Sequence, residues 1–135
     1  MQAQNINQQR ILEINVISAE DLRIDGRSIK KNAIAYVRSD PSNVGSTKID
    51  KEGGSFPVWD DKFDLKLPMH ARNLVVQVLC DKKLIGSATI PTSDFIGDYT
   101  PSSYLHFLCY RLRDQRGVCN GIINLSVRVK ELCSM

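Results

Sequence analysis

Apolar and polar positions alternate with a period of two along most of the chain, the pattern of strands with one face buried. In residues 11–17, Leu12, Ile14 and Val16 share one face while Glu13 and Asn15 lie opposite. Residues 33–38 form a second such run, and residues 46–51 a short, polar third. In the fourth, Trp59, Phe63, Leu65 and Leu67 occupy odd positions against Asp60, Lys62, Asp64 and Lys66 on even ones. Leu74, Val76, Val78 and Cys80 repeat the pattern, residues 85–90 give a sixth run, and residues 104–112 a seventh. The last spans 122–130, with Ile123, Leu125, Val127 and Val129 inward and Asn124, Ser126, Arg128 and Lys130 outward.

Turn residues separate these runs: Asp25-Gly26, Asp40-Pro41-Ser42, Gly53-Gly54-Ser55, Pro68, and the stretch from Gly97 to Ser103. Eight short alternating strands between such breaks predict an all-β, eight-stranded antiparallel sandwich. No stretch sustains a helical period, one turn around Thr92–Ile96 excepted, and there is no internal repeat or linker. The expected layout is a polar tail over 1–10, one domain over 11–130 and a short tail over 131–135. Sandwich edges can pair between chains, and Tyr104–Leu112 is a candidate for such an edge. The Asp94–Ser103 stretch is either a partner-facing surface or a plain connection.

Composition adds limits. With 42% hydrophobic and 24% charged residues the chain has a globular balance, which argues against disorder. The net charge of +3 is mild, so any preference for anions must come from where the charges sit. Cys80, Cys109, Cys119 and Cys133 form no CxxC pair and have no histidine at zinc-like spacing, which makes reduced thiols in a cytosolic protein the default. A secreted disulfide protein is the alternative. The N-terminal ten residues are polar, without the apolar core of a signal peptide. Gln2 stands where myristoylation needs glycine. No apolar run approaches the ~20 residues of a membrane span. A cytoplasmic protein, peripheral at the plasma membrane or another inner-leaflet surface, is the expectation.

Catalytic chemistry finds little support. The chain lacks GxSxG, HExxH, P-loop and GxGxxG patterns. His106 lies within a strand run and reads as a packed residue. Alternation sends Asp60 and Asp61 to opposite faces, so they cannot share a proton. Cys80, beside Asp81, Lys82 and Lys83, has two readings: a thiol with a lowered pKa, or a packed residue at a strand end. Basic residues are not interleaved with exposed aromatics, which disfavours nucleic acid.

Several blocks resemble C2 domains. Leu12-x-Ile14-x-Val16-x-x-Ala19-x-x-Leu22 is similar to their opening strand, and Tyr36-Val37 to the close of their DPYV strand. Phe56-Pro57-Val58-Trp59-Asp60-Asp61-x-Phe63 resembles their NPxWxExF segment. Leu74-x-Val76-x-Val78 followed by Ile85-Gly86-x-Ala88-x-Ile90-Pro91 is similar to the strand pair that follows it. The resemblance covers roughly residues 11–130 and implies the permuted, type II strand order. Ile17–Leu22, Gly53–Pro57, Leu105–Asp114 and Gly121–Ser126 further resemble small plant C2 proteins that associate with copines and restrain defence-linked cell death. A copine partner is what that resemblance implies.

In calcium-binding C2 domains, acids on three loops at one end hold the ions, because Ca²⁺ takes six to eight oxygen ligands. Here the positions where such acids are expected fall on or near Ile34, Cys80 and Lys82. The resemblance therefore implies no cofactor, with Ca²⁺ disfavoured. An alternative register of Asp25, Asp50 and Asp81 leaves a weak metal site open.

The same loops suggest lipid binding. Arg27, Lys30 and Lys31 in the first loop and Lys82 and Lys83 in the third join an expected apolar fringe of Ile24, Ile29, Phe56 and Leu84. Lysines that merely solvate the loop tips are the bland alternative. Arg38, Lys48 and Lys62 are a second candidate, a basic patch on the concave face. The expected function is a non-enzymatic module docking on anionic phospholipid and on a protein partner. The alternatives are a pure protein-interaction module and a calcium-dependent phospholipid-binding C2 domain.

Overall fold

The computed structural model describes residues 9–30, 32–97, 101 and 103–133. Its strands are β1 (Gln9–Glu20), β2 (Arg23–Ile24), β3 (Arg27–Ser28), β4 (Ala33–Asp40), β5 (Asn43–Ser46), β6 (Val58–Pro68), β7 (Asn73–Cys80), β8 (Lys83–Pro91), β9 (Leu105–Arg113) and β10 (Cys119–Cys133). The eight longer strands run in the order β5-β4-β7-β8-β9-β10-β1-β6, with every pairing antiparallel. β8 and β9 meet at a single bridge, Ser87 to Arg113. The order therefore divides there into two four-stranded layers that face each other across one core. Gly86 lets the layers close at this seam: a Cβ there would sit 2.9 Å from that of Leu112.

Alternation explains the core. From β1, Leu12, Ile14 and Val16 are fully buried, and so are Ala35 and Val37 of β4, Leu74, Val76 and Val78 of β7, and Ile123 and Val127 of β10. Trp59 lies inward as its parity predicts, and its indole N–H donates to the carbonyl of Ala33 at 3.0 Å, tying β6 to β4. Phe95 caps the core beneath a 3-10 turn at Thr92–Asp94, where the sequence suggested one. The Tyr110 hydroxyl donates to the Asp94 carboxylate and anchors that turn to β9. Burial first, then the bond to Asp94 and its charge, raise the Tyr110 phenol above its ordinary pKa. On the outer face of the second layer, charges pair across strands, Arg128 with Glu13 at 3.1 Å and Lys130 with Asp64 at 3.2 Å.

Boundaries differ from the sequence reading in three places. The β1–β10 ladder reaches Gln9 and Cys133, so part of each expected tail is strand. The polar third strand is β5, at Asn43–Ser46, and residues 47–51 hold to β4 through the Ala33–Asp50 bridge and the Thr47 N–H, which donates to the Ala35 carbonyl at 3.0 Å. The small β2–β3 hairpin has no counterpart in the alternation pattern. Lys31, residues 1–8, residues 98–100, residue 102 and residues 134–135 lie outside the described residues, and with them parts of both expected tails and of the Gly97–Ser103 break.

Candidate functional site

Three loops gather at one end of the sandwich. The first, residues 21–32, carries β2 and β3, joined by Asp25-Gly26 with φ of 52° and 77°. Two positive φ values in a two-residue connection make a type I′ turn, the hairpin turn that Asp-Gly favours. The third loop is the same device in miniature. Asp81 and Lys82, at φ 49° and 71°, alone connect β7 to β8.

The second loop, residues 47–57, is bonded to the first at three points, and the first is bonded in turn to the third. The Ser55 carbonyl accepts from the N–H of Leu22 at 3.0 Å, and its hydroxyl accepts from the N–H of Ile29 at 2.8 Å. Asp50 binds from the other side, its carbonyl accepting from the N–H of Asn32 at 2.9 Å. The Asn32 side chain donates to Asp81 at 3.0 Å, linking the first loop to the third. Asn120, at the start of β10, braces the tip from behind. Its amide donates to the carbonyls of Arg23 at 2.8 Å and Ile85 at 3.0 Å, and its oxygen accepts from the N–H of Arg23 at 2.9 Å.

This stitching decides which loop residues face solvent. Ile29, expected in the exposed fringe, is 5% exposed: the second loop closes over it through Ser55. Ile24 and Leu84 are half-buried, Ile24 packing on the core. Phe56 stands out as expected, 57% exposed, and Ile49 and Val58 join it, both missed by the sequence reading. Arg27, Lys30 and Lys82 are exposed, as is Lys51, also missed. Lys83 sits 3.8 Å from Asp25, which offsets its charge.

The acids are spread rather than convergent. Asp25 tops its hairpin turn with its side chain 84% exposed. Asp50 is occupied by the chain itself, accepting from the N–H groups of Gly53 at 2.6 Å, Glu52 at 2.9 Å and Val58 at 3.0 Å. Burial pushes its pKa up, but those N–H groups outweigh it and hold the carboxyl below its usual range. Asp81 takes the Asn32 amide. Among the described residues no three His, Cys, Asp or Glu side chains are grouped to hold a metal.

One other expectation changes, and one is kept. Arg38 bonds Gln77 at 3.1 Å on the outer face of the β4 layer, whereas Lys62 lies outward on β6, opposite Asn15, in the other layer. Alternation on each strand puts them on opposite outer faces of the sandwich, so with Lys48 they do not form one patch. Cys80 is buried, and burial followed by the charge of Asp81 raises its thiol pKa. The packed reading of Cys80 stands and the activated one does not.

Beside the tip, the β4–β7 surface is apolar on its outer side too. Ile34, Tyr36, Leu79 and Ile49, with Lys51 and Lys82, line a groove of about 420 Å³. Ile34 stands where an acid is expected, and its side chain lines this groove instead. The signal was visible as a strand whose even positions, Ile34 and Tyr36, are as apolar as its odd ones.

Known proteins place this architecture. The chain is 43% identical to BON1-associated protein 2 of Arabidopsis thaliana over 129 residues, covering 90% of this chain and 62% of that protein. It is 26% identical to Protein SRC2 of Glycine max, covering 90% of this chain and 47% of that one. It thus spans less than two thirds of either relative. The fold matches a C2 domain of plant Extended Synaptotagmin 1 with a TM-score of 0.67 at 15% identity, over 87% of this chain and 92% of that one. It matches a structure of Extended-Synaptotagmin 2 that holds its SMP domain and two C2 domains with 0.72 at 19%, over 95% of this chain and 29% of that one. The C2 domain profile matches residues 10–107, and the chain belongs to the C2 domain family.

Proposed function

We propose that this C2 domain is a non-enzymatic docking module that touches anionic membrane surfaces with its loop tip, without needing calcium, and holds a protein partner elsewhere. The observation that carries the reading is Phe56, exposed on the loop tip that also presents Lys30, Lys51 and Lys82. A cation near an anionic leaflet contributes roughly 1 kcal/mol. Burying an aromatic or aliphatic side chain adds about 1.5–3 kcal/mol. Glu52 and Asp81 offset part of the charge. The sum is a few kcal/mol, a weak and reversible contact near the millimolar range. Stable residence then takes a second anchor, which is why a partner belongs to the proposal.

Calcium independence is supported by the use made of the acids. Asp50 accepts three backbone N–H groups, Asp81 is bonded to Asn32, and Asp25 is paired with Lys83 at 3.8 Å. The partner is suggested by resemblance: the 43% identical relative carries association with BON1 in its name. A copine partner, and with it a role in restraining defence-linked cell death at the cytoplasmic membrane surface, is the finer form of this reading.

The test is vesicle binding by a variant carrying Lys30→Glu and Lys82→Glu, both exposed positions. Loss of binding to phosphatidylserine vesicles, with an unchanged unfolding midpoint, is the expected result. Binding that survives the double reversal places the lipid contact somewhere other than the tip.

A further inference from the structure

Over most of its length β9 is paired on one side. β10 pairs with it from Leu105 to Arg113, while β8 reaches it only at Arg113. Among the described residues, 105–111 therefore present an open edge. Natural edges are blunted by lysine, proline, bulges or short length. The sequence Leu-His-Phe-Leu-Cys-Tyr-Arg over 105–111 contains no lysine, proline or carboxylate. Its register with β10 runs without a shift from Arg111–Ile122 to Leu105–Arg128. The opposite edges are treated differently: β5 is four residues long, and β6 carries Asp60, Lys62, Asp64 and Lys66 on its outer side. The outer row of β9 is apolar instead, with Leu105 42% exposed, Phe107 72% exposed and the Cys109 thiol exposed beside them.

Charge and parity fix the orientation and register in which a second copy fits this edge. The only formal charges on β9 are Arg111 and Arg113, at its C-terminal end. Two copies in parallel would set arginine beside arginine. In antiparallel array, each cationic end lies against the uncharged half of the other strand. Parity adds that outer rows must meet outer rows, because a one-residue slip turns core positions to solvent. The register centred on Leu108 meets both conditions and uses the whole open stretch. A centre at Cys109 would need Arg113, which is held by Ser87.

We propose that β9 pairs antiparallel with β9 of a second copy, centred on Leu108, joining two four-stranded layers into one continuous sheet. Leu105 then stands opposite Arg111 of the second copy and Phe107 opposite Cys109. Each Arg111 lies diagonal to a Phe107 ring, a separation that long and aromatic side chains span and a geometry that favours a cation over the ring face. The contact is isologous and closes as a dimer.

The test uses the full chain in sedimentation velocity over a concentration series, with Phe107→Lys as the variant. Phe107 is exposed, so its replacement leaves the core intact, and an unchanged unfolding midpoint checks this. The expected result is a wild-type dimer that Phe107→Lys reduces to monomer. In a Cys119→Ser, Cys133→Ser background, a short bis-maleimide should link Cys109 to Cys109, since diagonal positions lie about 7–8 Å apart. A chain that stays monomeric at about 1 mM, a concentration that reveals even a 4 kcal/mol association, overturns the proposal. A dimer that ignores Phe107→Lys, or that yields no Cys109 crosslink, overturns it equally.

Discussion

The Ser55 hydroxyl accepts the backbone N–H of Ile29 at 2.8 Å, across 26 positions of sequence, and this bond holds two tip loops as one surface. Ser55→Ala leaves a buried N–H without a partner, at a cost of about 1–3 kcal/mol. Urea unfolding should show a lower midpoint with an unchanged slope. An unaltered midpoint would mean that solvent reaches the Ile29 amide.

Ile29 and Phe56 belong to neighbouring tip loops and should behave oppositely. Ile29→Ala removes a buried side chain and is expected to destabilise by about 2–5 kcal/mol. Phe56→Ala, at a position 57% exposed, should leave stability within about 0.5 kcal/mol and weaken vesicle binding. Unfolding curves and vesicle partition on the same two proteins separate the roles.

Lys82 occupies the second position of a type I′ turn at φ 71°, a conformation that a side chain makes unfavourable by about 1–2 kcal/mol. Lys82→Gly relieves that strain and removes a tip cation. Thermal unfolding should rise while partition to anionic vesicles falls. A variant in which both fall would show that Lys82 also supports the fold.

Asp50 gives the pH dependence. Burial alone would raise its folded pKa, but the N–H groups of Gly53, Val58 and Glu52 together outweigh burial and hold it below the unfolded value. Such a group stabilises the fold fully above its unfolded pKa, and the contribution disappears as pH falls through the folded one. Asp50→Asn should therefore be less stable than wild type at pH 7, with the gap closing below about pH 4. A gap independent of pH would assign the loss to packing.

Gly121 combines φ 87° with a position where an added Cβ would lie 2.5 Å from the Glu20 carbonyl oxygen. Gly121→Ala should destabilise by more than about 1 kcal/mol, read as a lower urea midpoint.

The strands were legible in the sequence because a period of two survives wherever one face is buried, as in Leu12, Ile14 and Val16. The tip was less so. Alternation has no authority in a loop, and the burial of Ile29 depends on Ser55, a contact no local pattern records. Acidic residues mislead in a similar way. Asp25 and Asp50 look like ligands in one dimension, yet one is the first residue of a hairpin turn and the other closes its own loop. Ile49 and Lys51 were hidden for a third reason. Residues 47–51 read as strand, whereas they run as loop and lift Ile49 and Lys51 to the surface. Arg38 and Lys62 share a charge, but their strands belong to different layers.

Docking of the loop tip on anionic lipid, through charge and Phe56 and without calcium, is decided by co-sedimentation with phosphatidylserine vesicles. The series runs in chelator and in calcium, at low and high salt, with phosphatidylcholine as control. Binding is expected to require the anionic lipid, to be equal in chelator and calcium, and to weaken as salt screens the tip. Binding that appears only with calcium, or no binding to anionic vesicles at low salt, would contradict this reading of the tip.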